Sequence, residues 1–348
     1  MSDNIISSLL ELSTKYSFPP IFTATRNQID WKECGNSYVM DTSNFIRYIN
    51  FKKKQLDLKK VFICRDHLGS KLKDYPNNNE HSNVHIIKCL FKDINAGFDC
   101  IHLDTTKAKN KKEQLEEMIK FRKLLPNQKM NSVPSFEVSY DSNESALSDP
   151  NKFEIYISEL NQKFKTFDFS LPLFIVGQLG THVSVNGNDN FFDVNNCREI
   201  SKICQAYGIR LKEHNADFLG KYLANHRKAG VEAFNIGPEL SLTENKVFFT
   251  HLKDYFPKYA SKLGKKVLLL KNTKKWLSKN NKKTDNLEKI KLFSLHYLQK
   301  SRLYNEAKMH LKIKMMKNGV DLDNEIQGGI KSILKKHIKY LNLKNSWH

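Results

Sequence analysis

The hydrophobic pattern between about residues 17 and 240 alternates short apolar runs with longer amphipathic segments. Each run is rich in β-branched or aromatic residues and ends in polar ones, which is typical of a buried strand. A segment with helical spacing follows, so we expect parallel strands joined by helices. The predicted strands are Pro20–Thr25, Val61–Arg65, Phe98–Leu103, Ser135–Ser139, Leu171–Gly177, Ile209–Lys212 and Glu232–Ile236. The predicted helices between them are Thr42–Lys52, Val84–Asn95, Lys111–Leu125, Asp149–Phe164, Cys197–Tyr207 and Phe218–Ala229.

The distribution of polar residues distinguishes between two architectures. Nearly every predicted strand is followed by a cluster of polar or charged side chains, and a barrel assembles its active site from the ends of many strands. A doubly wound sheet usually carries a glycine-rich first turn, and this sequence contains no GxGxxG motif. We therefore predict an α/β fold with a (β/α)8 TIM-type barrel over residues 17–257. Its first strand is atypical or missing, because only 26 residues precede Asn27.

The segments outside the barrel are predicted to be helical. Residues 1–16 are predicted as an N-terminal helix, and residues 258–348 as a basic helical C-terminal extension. Lys265–Lys271 could be an eighth strand or a buried helical turn. From Lys258 onward the chain has 23 basic and 6 acidic residues, which accounts for most of the net charge of +20. Such an excess could bind a polyanion, but arginine is scarce, which does not favour nucleic acid as a partner.

Composition narrows the class of protein further. With 40% hydrophobic and 11% aromatic residues the chain can build a large core, which excludes general disorder. No run of 18 apolar residues occurs, so we expect no membrane partner. The six cysteines form no CxxC pair and are predicted to be reduced thiols of a cytoplasmic protein.

Three of the twelve histidines stand out by position. His67, His182 and His214 each follow a predicted strand, where barrel loops would bring them together. Three imidazoles with an open coordination position are typical of a catalytic Zn²⁺ or a similar divalent metal. Each histidine alone is more often structural, so the prediction depends on all three meeting at the C-terminal mouth of the barrel.

Several motifs in order along the chain resemble a known family. They are Asn27-Gln28-Ile29-Asp30, Asp66-His67-Leu68-Gly69, Ile101-His102-Leu103-Asp104, Phe136-Glu137-Val138, Glu213-His214-Asn215-Ala216-Asp217 and Ile236-Gly237-Pro238-Glu239. Together they resemble the non-catalytic (Z-type) subunit family of class II tagatose-1,6-bisphosphate aldolase. That family is similar to class II fructose-bisphosphate aldolases, which are zinc-dependent (β/α)8 barrels. The resemblance spans about residues 20–245.

The resemblance implies a role for individual residues. Asp66 would transfer a proton and the loop residue Glu144 would act as the second catalytic carboxylate. The implied metal ligands are His67, His182, His214 and Glu137. The polar residues predicted to bind substrate are Asn27, Gln28, Asp104, Gln178, Asn215, Asn235 and Gly237. A substrate phosphate is expected on backbone N–H groups after the last two strands.

These observations lead to one favoured function and two alternatives. The favoured function is a metal-dependent class II aldolase, a lyase that cleaves or forms a carbon–carbon bond in a phosphorylated ketose of the tagatose- or fructose-bisphosphate type. The first alternative is a non-catalytic barrel subunit that stabilises a partner aldolase. The second is polyanion binding through the basic extension. A homo-oligomer or a partner aldolase subunit is compatible with the first two.

Overall fold

The protein is built around one parallel sheet with helices packed against it. The computed structural model describes residues 1–34, 37, 39–69, 79–124, 134–140, 147–276 and 286–344. The strands are β1 (Ile21–Thr25), β2 (Ile29–Asp30), β3 (Met40–Asp41), β4 (Phe62–Leu68), β5 (Cys100–Leu103), β6 (Ser135–Ser139), β7 (Phe174–Val176), β8 (Thr181–Ser184), β9 (Gly187–Asn190), β10 (Arg210–Glu213) and β11 (Ala233–Phe234). The α-helices are α1 (Asp3–Tyr16), α2 (Thr42–Gln55), α3 (Asn79–Asn95), α4 (Lys111–Leu124), α5 (Pro150–Thr166), α6 (Val194–Ala206), α7 (Leu223–Lys228), α8 (Pro238–Tyr255), α9 (Pro257–Leu268), α10 (Leu287–Ser294), α11 (Arg302–Lys317) and α12 (Leu322–Leu341).

All seven predicted strands occur and form the main sheet. The strand order is β1-β4-β5-β6-β7-β10-β11, and every neighbouring pair is parallel. Helical segments connect successive strands of this sheet, as the alternating pattern predicts. The pairs β2–β3 and β8–β9 lie outside it, and the β8–β9 hairpin is an element that the hydrophobic pattern does not predict.

The sheet is strongly curved. In a flat sheet, β4 and β10 would be four strand spacings apart, or about 19 Å. The imidazole rings of His67 on β4 and His214 after β10 nevertheless have centroids only 5.4 Å apart. The sheet therefore curls into a half-barrel with these side chains on its inner face. Among the described residues no eighth strand pairs with β1 or β11, and the Lys265–Lys271 segment is helical.

Helices connect the two edges of the sheet. Helix α1 precedes β1 and α8 follows β11, and Ser2 at the N-cap of α1 donates a hydrogen bond to Glu244 of α8 (2.5 Å). A shared hydrophobic core joins these helices to α9, α11 and α12 through residues such as Ile5, Phe248 and Ile330. The described part of the basic C-terminal segment is thus mainly helical, and it packs on the helices that flank the sheet.

This packing predicts a contrast between two isoleucines of the C-terminal segment. Ile330 is fully buried in the shared core, whereas Ile313 on α11 is 52% exposed. We expect Ile330→Ala to lower the free energy of unfolding by about 2–5 kcal/mol, because it leaves a cavity. Ile313→Ala should change it by less than about 0.5 kcal/mol. Urea unfolding of both variants measures the difference, and equal losses would contradict the described packing.

The cysteines differ in part from the expectation. Cys34 and Cys89 form a disulfide that joins the 3-10 helix Lys32–Cys34 to α3, so the prediction of six reduced thiols is wrong for this pair. The free thiols of Cys64, Cys100, Cys197 and Cys204 are buried. No helix in the described part of the chain has both the length and the apolar character needed to cross a bilayer.

Candidate active site

Three imidazole rings from three strands meet inside the curved sheet. They belong to His67 on β4, His102 on β5 and His214 after β10. The ring centroids lie 5.0 Å apart for His67–His102, 5.4 Å for His67–His214 and 5.5 Å for His102–His214. Three histidines thus meet in one cluster, and its third member is His102, whereas the predicted third member was His182.

A bulge explains why adjacent residues of β4 both reach this cluster. Neighbouring side chains of a regular strand point to opposite faces. The pairing register of β4 with β5 shifts between Arg65 and Leu68, and His67 has a φ of 52°, in the left-handed region. Bulges of this kind re-aim side chains beside functional sites. As a result Asp66 and His67 both lie within the cluster.

Hydrogen bonds fix the orientation of two of the imidazoles. Asp104 Oδ2 lies 2.6 Å from His67 Nδ1, so the Nε2 atom of His67 is directed toward Asp66 Oδ2, at 3.6 Å. Ser139 Oγ lies 2.8 Å from His102 Nε2, and the Nδ1 atom of His102 lies 2.8 Å from Asp66 Oδ1. A carboxylate or hydroxyl partner behind an imidazole is the usual support of a metal-binding histidine.

A buried ion pair forms the floor of the cluster. Glu137 on β6 accepts a hydrogen bond from Lys212 Nζ at 2.5 Å through Oε2. Its other oxygen, Oε1, lies 3.3 Å from His214 Nε2 and 3.6 Å from His102 Nδ1. The side chains of Glu137 and Lys212 are 0% and 6% exposed, so each charge depends on the other for stabilisation.

The electrostatics of the site favour a cation. Burial raises the pKa of Glu137, but Lys212 and the neighbouring histidines outweigh it and lower that pKa to about 2. The pKa values of Asp66 and Asp104 are likewise held below their usual range against the effect of burial. Burial lowers the pKa of His67, but the carboxylates of Asp66 and Asp104 raise it to about 9. Three ionised carboxylates outnumber the two positive charges of Lys212 and the protonated His67, which leaves one negative charge in excess.

The donor set fits a divalent metal. Asp66, His102, Glu137 and His214 each present one potential ligand atom, and these atoms all lie within 4.8 Å of one another. Lone pairs that converge in this way are suited to an ion bound at about 2.0–2.2 Å from each donor. Imidazole nitrogen and carboxylate oxygen together suit Zn²⁺ and related transition metals. The side chain of His67 is 39% exposed, which leaves this side of the cluster open to solvent.

The structure places His182 elsewhere. This residue lies on β8 of the hairpin, and its Nδ1 atom is 3.3 Å from Asp189 Oδ2 on β9. Both side chains are close to half exposed. None of the potential ligand groups within the described residues includes His182. His182 therefore does not lie with His67 and His214, because the chain after β7 forms a hairpin that directs His182 to Asp189. His102 is the third histidine of the cluster.

The other predicted substrate-binding residues are divided between several loops. Asn27 is exposed in the turn after β1, and the carbonyl of the adjacent Gln28 accepts a hydrogen bond from Val39. Gln178 is buried after β7, where its N–H donates to Ser148 Oγ (2.9 Å). Asp104 supports His67, as described above. Of this set, Asp104 is the residue that the structure places in direct contact with a histidine of the cluster.

Three further predicted residues help to hold the loop that follows His214. The carbonyl of Asn215 accepts a hydrogen bond from Asn188 of the hairpin (2.6 Å), and Asn235 accepts one from Ala216 (3.0 Å). Gly237, at the start of α8, donates its N–H to Asp217 Oδ1 (2.9 Å). Glu144, the predicted loop carboxylate, lies outside the described residues.

Sequence reasoning missed His102, Ser139 and Lys212 as members of the site. A search for polar residues two positions apart within the predicted strands would have identified them, because residues i and i+2 of a strand share a face. His102 precedes Asp104 by two positions, Glu137 precedes Ser139 by two, and Lys212 precedes His214 by two. Each of these pairs therefore directs two polar side chains to the inner face of the curved sheet.

The fold of the chain is similar to that of several solved structures. The chain is similar to a probable tagatose 6 phosphate kinase from Sinorhizobium meliloti 1021, with a TM-score of 0.78, 14% identity and 97% of each chain covered. It is also similar to the fructuronate-tagaturonate epimerase UxaE from Cohnella laeviribosi (TM-score 0.66, 12% identity, 99% of this chain and 80% of that chain). A third similar structure is fructose-bisphosphate aldolase from Campylobacter jejuni (TM-score 0.55, 14% identity, 98% of this chain and 88% of that chain).

Comparison of the sequence with known proteins found no match. No protein-family model matches the chain, and no curated protein matches it. At 12–14% identity the structural similarity establishes the fold alone. The chain thus has an aldolase-like fold, and its chemistry has to be inferred from its own residues.

Proposed function

We propose that this protein is a metal-dependent, aldolase-like enzyme that cleaves or forms the bond between the α- and β-carbons of a ketose, with phosphorylated ketoses as the substrate class. The observation that carries the proposal is the triangle of His67, His102 and His214, closed by Glu137 and bordered by Asp66. The same inner face of an aldolase-like fold holds all five side chains.

The residues of the cluster divide into two roles in this proposal. His102, Glu137 and His214 of the converging donor set would hold the metal, together with His67, which belongs to a second group with His102 and Asp104. When bound, the metal supplies a Lewis acid that polarises the ketose carbonyl. Asp66 is the proton-transfer group. Its Oδ1 atom is held by His102 at 2.8 Å, which fixes the carboxylate and directs Oδ2 toward the open side near His67. A carboxylate placed in this way can take the proton of the substrate's β-hydroxyl as the bond between the α- and β-carbons breaks, and in the reverse reaction it can give that proton to the aldehyde oxygen.

Metal binding by two histidine variants tests the assignment of ligands. His102→Ala removes a buried imidazole from the cluster, and we expect it to lose stoichiometric Zn²⁺ or Mn²⁺. His182→Ala is the matched control, because that imidazole lies on the hairpin with Asp189, and we expect it to retain metal. Elemental analysis after equilibrium dialysis measures both, with circular dichroism to show that each variant is folded.

Two results would overturn the proposal. Loss of metal from His182→Ala with retention by His102→Ala would show that the ligand set is wrong. A folded wild-type protein that binds no divalent metal would instead favour the non-catalytic subunit, which has no need of a metal.

A further inference from the structure

The N-terminus of α8 lies at the same end of the sheet as the histidine cluster. The loop after β10 passes from His214 to Asp217 within three residues, and the loop after β11 leads directly into α8. The N–H of Ala216 donates to the carbonyl of Asn235 (3.0 Å), so these two loops are joined. In barrel enzymes, a helix N-terminus at the ends of the last strands is a frequent phosphate site.

In this protein the carboxylates of Asp217 and Glu239 occupy the N-terminus of α8. Asp217 Oδ1 accepts hydrogen bonds from the N–H groups of Gly237 (2.9 Å) and Glu239 (2.7 Å), and Pro238 between them has no N–H to offer. Glu239 Oε2 in turn accepts from the N–H of Phe218 (2.9 Å). Asp217 is 1% exposed, so it is built into the fold as the cap of α8.

This arrangement disfavours the binding of a phosphate at the N-terminus of α8 in two ways. A phosphate at this helix would have to displace Asp217 from the two N–H groups, and it would then lie beside two carboxylic acid side chains. Burial raises the pKa of Asp217 to about 7 against the effect of the two N–H donors, and an oxygen accepts their hydrogen bonds in either protonation state. The Nε2 atom of His337, on the neighbouring helix α12, lies 3.0 Å from Glu239 Oε2, so this imidazole already has a carboxylate as its partner.

We infer that Asp217 is a specificity-determining residue that excludes a phosphate from the β11 side of the site. The inference rests on the proposed function and makes its substrate class narrower. The ketose end that approaches β11 is an unphosphorylated end, and the substrate has at most one phosphate, at its other end. This differs from the bisphosphate that the sequence resemblance implies.

Calorimetric titration of the full-length, Zn²⁺-supplemented protein tests the inference. The ligands are fructose 1-phosphate, fructose 6-phosphate, fructose 1,6-bisphosphate and inorganic phosphate. For the wild type we expect the bisphosphate to bind within about threefold of the better monophosphate. Asp217→Ala frees the two N–H groups, so we expect its affinities for the bisphosphate and for inorganic phosphate to rise about tenfold or more. Asp217→Asn keeps an oxygen on these groups and should remain like the wild type.

Asp321→Ala is the matched control. Asp321 caps α12 through two N–H groups in the same way, those of Asp323 (2.8 Å) and Asn324 (3.0 Å). It lies 16 residues before His337, or about 24 Å along the helix from the α8 contact. We expect Asp321→Ala to leave the affinity for the bisphosphate, relative to the affinities for the monophosphates, as it is in the wild type.

The outcomes separate the inference from the proposed function. A wild-type protein that binds the bisphosphate about tenfold or more tightly than either monophosphate would overturn the inference, and this comparison needs no variant. If no sugar binds to the wild type, the proposed function fails. Inorganic phosphate then decides the inference alone, because equal affinity of the wild type and the folded Asp217→Ala variant would overturn it.

Discussion

Replacement of Asp66 by Asn is expected to lower turnover of the ketose substrate by roughly 10²–10⁴-fold, the usual contribution of a positioned proton-transfer group. The amide keeps the size of the side chain and an oxygen for the contact that Asp66 Oδ1 makes with His102 Nδ1 at 2.8 Å. Asp66 also belongs to the converging donor set, and the amide oxygen preserves a potential ligand atom there, so metal content should remain near that of the wild type. Steady-state kinetics and elemental analysis of the same preparation measure the two properties.

The neighbouring residue provides the contrast. His67→Ala removes an imidazole that Asp104 orients at 2.6 Å, and we expect metal and turnover to be lost together. Asp189→Asn changes an exposed carboxylate that is paired with His182, and it should leave both unchanged. If Asp66→Asn and His67→Ala lost metal and activity in the same proportion, Asp66 would be a structural or metal-binding residue and its role in proton transfer would be wrong.

The second large effect concerns stability. Lys212→Met leaves the carboxylate of Glu137 buried without its partner at 2.5 Å, and we expect the free energy of unfolding to fall by about 3–5 kcal/mol. The double variant Glu137→Gln/Lys212→Met removes both charges, so it should recover most of this loss while binding metal poorly. Urea denaturation gives the free energies.

A surface ion pair is the control for this experiment. Lys253 and Glu288 lie 2.8 Å apart with side chains 52% and 53% exposed, so Lys253→Met should cost no more than about 1 kcal/mol. Equal costs for Lys212→Met and Lys253→Met would show that the pair inside the sheet is hydrated and is not part of a closed floor.

The same pair sets a dependence on pH. In the folded protein the pKa of Glu137 is about 2, below its ordinary value of 4.5. The stabilisation is therefore fully present above about pH 4.5 and is lost as the pH falls toward 2, because the unfolded chain takes up this proton first. In the double variant this part of the acid sensitivity should disappear. If the unfolding free energy fell by the same amount between pH 5 and pH 3 in the wild type and in the double variant, the lowered pKa of Glu137 would be contradicted.

The strands of the sheet could be predicted because most of their residues are buried or half-buried. Runs such as Leu171–Gly177 are continuously apolar, and each coincides with a strand of the main sheet. The hairpin that carries His182 was not predictable from the same pattern, since β9 consists of the polar residues Gly187–Asn190. Its antiparallel pairing is set by the turn between β8 and β9.

The candidate site was predictable in its location but not in its full membership. The structure places Asp66, His67, Glu137 and His214 close together on the inner face of the curved sheet. The bulge at His67 could not be read from the sequence, because a left-handed φ at a histidine has no local signal comparable to a glycine. The cap formed by Asp217 on α8 is also a tertiary feature, since its partners Gly237 and Glu239 are 20 and 22 residues away.

The measurement that tests the central claim most directly is the release of triose products from a panel of ketoses, with and without phosphate groups. The wild-type protein is first treated with a chelator and then supplied with Zn²⁺ or Mn²⁺. We predict that cleavage of at least one ketose is absent after chelation and returns with about one equivalent of metal per chain. A folded protein that binds one equivalent of metal and releases no triose from any ketose of the panel would contradict the claim.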